Sequence, residues 1–206
     1  AEPWFRTGDI VEETGSDCLT VECDVADPDS VERLRDRALD GFESIEIVVT
    51  AHGVVSRTPF ADQTDEELCR VIDINLSGTV RVVQAFYEQM ITNGYGKIVT
   101  IGSIAGRTGR RRASTTYSAA KAGVHGFTRS LSREAAPKNV YVNSIAPGPV
   151  RTPMTDDGAT VDADEFPLGR IGEPDDIAQA VRHLASQQSQ WTSGTVLDVN
   201  GGAFTR

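Results

Sequence analysis

Tyr117 and Lys121 lie four residues apart in the run Thr116-Tyr117-Ser118-Ala119-Ala120-Lys121-Ala122-Gly123. On a helix this spacing puts both side chains on one face, about one turn apart. A phenol beside an ammonium has a defined acid–base chemistry. A positive charge a few ångströms away favours phenolate and draws the tyrosine pKa down from about 10 towards working pH. A phenol tuned in this way gives or takes a proton in a transition state. Taken alone, the pair also fits a solvated surface helix. Ser103 follows Lys97-Ile98-Val99-Thr100-Ile101-Gly102, an apolar run that reads as a buried strand. It therefore stands at a strand's carboxyl end, where open α/β sheets place their ligands. Asn75, in Asp73-Ile74-Asn75-Leu76-Ser77-Gly78, is a polar residue inside a helical pattern.

The elements that must position these residues follow from periodicity and caps. Five strands are expected, near residues 18–25, 45–50, 97–102, 140–145 and 195–199. Helices alternate with them. Asp27-Pro28 opens one with a capping acid and a first-turn proline, and Val31, Leu34 and Ala38 form its apolar face. Thr64-Asp65-Glu66-Glu67 is a capping box at the head of a long helix carrying Leu68, Val71, Ile72, Val80, Val83 and Phe86. Pro174-Asp175-Asp176 opens another, with Ile177, Val181 and Leu184. Residues 2–14 read as the tail of a surface helix. Alternation of this kind predicts an α/β fold with a doubly wound parallel sheet.

The 206 residues suggest a single domain over 1–206, and 39% hydrophobic content suggests a globular chain. No apolar run approaches the ~20 residues of a membrane helix, and the first residues lack a signal-peptide layout, so a cytoplasmic protein is expected. Cys18, Cys23 and Cys69 are an odd number without metal-ligand spacing and read as free, buried thiols. His52, His125 and His183 are scattered and form no metal motif with them. A net charge of −10 argues against a nucleic-acid surface. Of the 20 basic residues only Lys97, Lys121 and Lys138 are lysines, a composition compatible with a salt-rich cytoplasm.

Ser103, Tyr117 to Gly123, Asn143-Ser144-Ile145-Ala146-Pro147-Gly148 and Asp198-Val199-Asn200-Gly201-Gly202 occur in this order. Together with Asn75, they closely resemble the classical short-chain dehydrogenase/reductase family, from about Leu19 to Gly202. The resemblance implies a Rossmann-like fold, NAD or NADP as cofactor, and a small-molecule substrate that is a carbonyl or an alcohol. It implies that Tyr117 moves the proton and that Lys121 tunes Tyr117 and holds the cofactor's ribose. Ser103 would position the substrate oxygen, and Asn75 would bend its helix and hold a water linked to Lys121. For the cofactor it implies Asp24 and Val25 beside the adenine, Ala51 and Gly53 as close backbone, and Tyr117 and Lys121. It further implies Pro147 and Gly148 over the nicotinamide, Val150 at the carboxamide, and Thr152 at the amide or phosphates.

The chain departs from the family in places. Thr50-Ala51-His52-Gly53 stands where relatives have Asn-Asn-Ala-Gly. Thr50 is expected to replace one bracing hydrogen bond, and His52 to be structural or solvent-facing. The spacing from Ser103 to Tyr117 is one residue longer than usual, which predicts a bulge around Arg110-Arg111-Arg112. Those arginines could pair with the protein's own acids, be solvated, or meet an anionic carrier. Residues 154–166 fall where the family keeps its substrate lid. The Gly-x-x-x-Gly-x-Gly phosphate turn is absent, and with it the residue that selects NAD or NADP. By resemblance the chain is therefore N-terminally truncated, with a gap between the strands near 18–25 and 45–50. Helix pairing in the family implies a homodimer or homotetramer. A 3-oxoacyl thioester is the favoured substrate class, with sugar, polyol or steroid alcohols open. A non-catalytic remnant acting only as an oligomer partner, and an NAD-dependent sugar epimerase, are the alternatives.

Overall fold

Gly96 to Lys97-Ile98-Val99-Thr100 is buried on both faces, which is why this strand reads as nearly continuous apolar sequence. In the computed structural model, which describes residues 15–109, 113–152 and 163–205, it is the second of four parallel strands. Their order is β1 (Ile47–Thr50), β2 (Gly96–Ile101), β3 (Val140–Pro147) and β4 (Val196–Val199). Register aligns Thr50 with Thr100, Ile98 with Val142, and Ala146 with Asp198. Alternate strand residues face opposite layers. Val48, Ile98 and Val142 meet α1 (Pro28–Gly41), α3 (Gly78–Thr92) and α5 (Thr115–Ala135) through Val31, Val83, Phe86, Met90 and Ala135. Val99 and Ile145 meet α6 (Pro174–Ala185) through Leu184, Ile177 and Val181. The sheet is thus doubly wound, as its alternating elements demand.

The caps place the helices. The Asp27 side chain accepts from Asp29 N, with Pro28 at the first position of α1. Thr64 Oγ1 accepts from Glu67 N at 3.2 Å and starts α2 (Asp65–Ile72). The expected long helix is not continuous: α2 passes through a π-helical turn, Asp73–Ser77, into α3, and Asn75 lies in that turn. Ser114 Oγ accepts from Tyr117 N at 3.1 Å and starts α5. A short helix, α4 (Ala105–Thr108), follows β2.

Four strands stand where five were expected. Residues 18–25 are extended but pair with no strand among the described residues. Near the end of this stretch, side chains satisfy backbone groups in place of a ladder. Ser30 Oγ accepts from Asp24 N at 3.0 Å, and Arg81 donates to Val25 O at 3.2 Å. β1 pairs only with β2 among the described residues, and Ile47 and Val49 on it are 47% and 39% exposed. The three thiols stand free, but Cys18 and Cys69 are exposed rather than buried. No described helix is long and apolar enough to cross a membrane. Residues 2–14, Arg110-Arg111-Arg112 and 154–162 of the expected lid lie outside the described residues.

Candidate active site

The site forms at the carboxyl ends of β1, β2 and β3. Gly102 N donates to Ile145 O at 2.8 Å and carries the chain one residue past β2 to Ser103. The backbone of Ser103 is fixed by α5, since its N–H donates to His125 Nε2 at 3.4 Å. Its Oγ accepts from Ala105 N at 3.1 Å. Packing here is close: a Cβ on Gly102 would stand 2.1 Å from His125 Nε2, so this position requires glycine.

Helix α5 presents Tyr117 and Lys121 on one face. Lys121 is 3% exposed, and its Nζ donates to Ile101 O at 2.9 Å, beneath the end of β2. The ammonium is 5.9 Å from the Tyr117 ring centre. Burial pulls Lys121 down to about 8. Burial pushes the Tyr117 phenol up, and a hydrogen bond with Ser103 works in the other direction. The expected sign for Tyr117 is therefore reversed in this structure. Desolvation of the phenol outweighs the nearby charge, and Ser103 is the group that favours the phenolate.

Asn75 sits in the π turn, fully buried. Its Nδ2 donates to Val54 O at 2.8 Å and to Val71 O at 2.9 Å, and its Oδ1 accepts from Val54 N at 3.3 Å. It clasps residue 54 through both backbone groups, as a neighbouring strand would. Gly53 lies between this amide and Lys121: a Cβ there would stand 2.8 Å from Asn75 Oδ1 and 3.5 Å from Lys121 Nζ. Thr50 does not supply the expected brace. Its hydroxyl is buried without a hydrogen-bond partner among the described residues. The Asn75 amide has taken over the bracing of this segment.

On the far side, Gly148 N donates to Val199 O at 2.9 Å, and a Cβ on Gly148 would stand 2.9 Å from Asn200 Cα. Pro147 and Gly148 thus turn directly over the β4 end. Val150 pairs with Gly172, and Thr152 Oγ1 donates to Val150 O at 3.3 Å. Pro149, Val150, Phe166 and Asn200 line a cleft beside this turn. Val25 packs against Gly78 at the head of α3, and Asp24 Oδ1 accepts from Ala26 N at 2.9 Å. Ala51 is exposed. The structure gathers Ser103, Tyr117, Lys121, Asn75 and Gly53 into one locus. Val25 reaches it through the adjoining α3, and the 147–152 turn follows the end of β3.

Two residues were missed in the sequence. His125 repeats the Tyr117–Lys121 spacing once more along α5, and that signal could have found it. Arg107, after Ser103, reaches across to β4: its Nε lies 2.7 Å from Asp198 Oδ1, and Nη2 donates to Val196 O at 2.6 Å. Nothing in its spacing announces this.

The bare backbone at Gly53, with the Lys121 ammonium and the Asn75 turn behind it, fits a nicotinamide dinucleotide lying across the strand ends. A side chain there would fill that cradle. The family profile described as enoyl-(acyl carrier protein) reductase matches residues 5–204. The 3-oxoacyl-(acyl-carrier-protein) reductase FabG of Chlamydia muridarum is 38% identical over 198 residues, 94% of this chain and 79% of that protein. The acetoacetyl-CoA reductase of Allochromatium vinosum is 35% identical over 194 residues, 92% and 78% respectively. The crystal structure of a short-chain type dehydrogenase/reductase from Mycobacterium marinum superposes with a TM-score of 0.91 at 30% identity. That superposition covers 96% of this chain and 80% of that one. The chain belongs to the short-chain dehydrogenase/reductase family. It is an NAD(P)-dependent oxidoreductase that interconverts a carbonyl and a secondary alcohol by hydride transfer.

Proposed function

We propose that this chain reduces the ketone of a 3-oxoacyl thioester, with Tyr117 as general acid. The observation that carries the reading is the Ser103–Tyr117 hydrogen bond at the end of β2, with Lys121 buried behind it. The named relatives act on 3-oxoacyl and acetoacetyl thioesters, which supports the substrate class. Bound NAD or NADP supplies the hydride to the carbonyl carbon. The chain's residues handle the oxygen and the proton. Ser103 donates a hydrogen bond to the substrate oxygen and holds it beside Tyr117. Because burial raises the phenol's pKa, Tyr117 is protonated at neutral pH and ready to give its proton as negative charge grows on that oxygen. The phenolate left behind is stabilised by the Lys121 ammonium, which burial has brought to about 8 and which is charged at neutral pH. In the reverse direction Tyr117 takes the alcohol proton.

Asp24 and Val25 serve the adenine, and Ala51 and Gly53 offer backbone to the dinucleotide. Pro147, Gly148, Val150 and Thr152 close over the nicotinamide. Asn75 keeps Gly53 and Lys121 in register and supports the proton path. The chain acts as one domain, in the cytoplasm, as a homodimer or homotetramer. Ala119, Ala122 and Gly126 are exposed on α5, and such small residues let a second helix approach closely. The test is a panel of acetoacetyl-CoA, an enoyl thioester, a sugar and a steroid ketone, each with NADH and NADPH and with product analysis. Reduction of acetoacetyl-CoA to the 3-hydroxy thioester is expected. Turnover of the other classes alone would overturn the substrate assignment.

A further inference from the structure

His52 immediately precedes Gly53 and is partly buried. Its Nε2 lies 3.4 Å from Thr79 Oγ1, and the Thr79 hydroxyl donates to Asn75 O at 3.0 Å. The Ile74 carbonyl also accepts from the ring. His52 therefore meets the π turn on both sides of Asn75, at Ile74 before it and Thr79 after it. Asn75 in turn clasps Val54 through two backbone hydrogen bonds. Two clasps thus join the 52–54 segment to the turn, one reaching out from each side. The charged group facing the ring is Lys121 from α5; Ile74 and Thr79, on the π turn and α3, present neutral oxygens.

We propose that His52 is a positioning residue, a proton-dependent clasp that fixes the Asn75 turn against Gly53 and couples that turn to the charge on Lys121. The proposal rests on the reading of Asn75, Tyr117 and Lys121 given above. A neutral imidazole carries one N–H and one lone pair. While the ring donates to Ile74, its lone pair competes with Asn75 O for the single hydrogen of the Thr79 hydroxyl. Protonation removes the lone pair and turns both nitrogens into donors. Thr79 must then give its hydrogen to Asn75 O, so that carbonyl is closed to any other donor. The same protonation sets a second positive charge against Lys121. Burial and the Lys121 charge both hold the ring in its neutral form, with the Ile74 carbonyl opposing them. Coupling of this kind is reciprocal: discharging Lys121 releases His52 to take a proton at higher pH.

The test is an NMR titration of the full isotope-labelled chain from about pH 5 to 8, following the His52 ring and the Ile74, Asn75 and Leu76 amides. The range brackets the ordinary histidine value. Wild type, Lys121→Met, His52→Gln and Thr79→Val are compared. In wild type, His52 is expected to titrate below the ordinary histidine value, with the turn amides following the same midpoint. In Lys121→Met that midpoint should rise by about half a pH unit or more, since a like charge has been removed. In His52→Gln the turn amides should stop titrating, and in Thr79→Val the Asn75 amide should no longer follow His52. Turn amides that titrate unchanged in His52→Gln and Thr79→Val would overturn the proposal. So would a His52 midpoint that Lys121→Met leaves in place. None of these signals depends on turnover, so they stand or fall separately from the role given to Tyr117.

Discussion

At the scale of single residues, the site keeps a charge where burial penalises it. Lys121 is brought from 10.5 to about 8, a cost of about 3 kcal/mol to the folded state at neutral pH at ~1.4 kcal/mol per unit. Lys121→Met removes that charge and loses the hydrogen bond to Ile101 O. A net stabilisation of about 1–3 kcal/mol is expected at pH 7, read as a higher Tm; a lower Tm would contradict it. The pH dependence has a fixed sign. Between about 8 and 10.5 the unfolded chain holds the Lys121 proton and the folded chain has lost it, so this contribution to stability grows as pH rises through that window. Tyr117, whose folded pKa is raised, acts oppositely: its contribution is complete below its unfolded value near 10 and is lost above it. Denaturant midpoints of wild type and Lys121→Met across pH 7 to about 10.5 check both signs. The sequence made the Tyr117–Lys121 face legible, because a spacing of four matches the helical period. It could not give the direction of the tyrosine shift, which depends on how much water the fold excludes.

At the scale of elements, the π turn at Asp73–Ser77 is the device that aims Asn75 at Val54. Such turns recur at functional sites. Asn75→Ala removes three hydrogen bonds to backbone groups, two of them on Val54, and leaves those groups unpaired. A loss of about 2–4 kcal/mol in denaturant unfolding is expected, and a change under about 0.5 kcal/mol would count against the clasp. Sequence reasoning found the helix from its capping box but read it as continuous, because a π turn leaves no mark on apolar spacing. It took 18–25 for a strand from alternation alone. Alternation describes one chain segment, whereas a strand also needs a neighbour to pair with. Thr50 was assigned a hydrogen bond by analogy with a missing asparagine; a short β-branched hydroxyl could not take over a job that the longer Asn75 amide already does. The strand end at Ser103 and the Pro147-Gly148 turn were legible because each follows an apolar run.

At the scale of the whole molecule, charge dominates. The net charge is −10, and of the three lysines two are buried: Lys97 at 0% and Lys121 at 3% exposure. Lys97 Nζ donates to Ser189 Oγ at 3.0 Å and lies 4.0 Å from the Tyr141 ring centre. Lys138 is then the one lysine on the surface, which carries its positive charge almost wholly as arginine. Mutual repulsion of the acids is screened by salt, with a Debye length of about 10 Å at 0.1 M and about 3 Å at 1 M. The Tm is expected to rise as potassium chloride goes from about 0.1 to 1 M, and a steady fall would contradict this reading. The central claim is narrower: Tyr117 delivers the proton. The most direct test compares the full chain with Tyr117→Phe, measuring both dinucleotide binding by fluorescence titration and the rate of dinucleotide-dependent acetoacetyl-CoA reduction. The expected result is unchanged binding with turnover lower by about 10²- to 10⁴-fold. Turnover equal to wild type in the phenylalanine variant would contradict the claim.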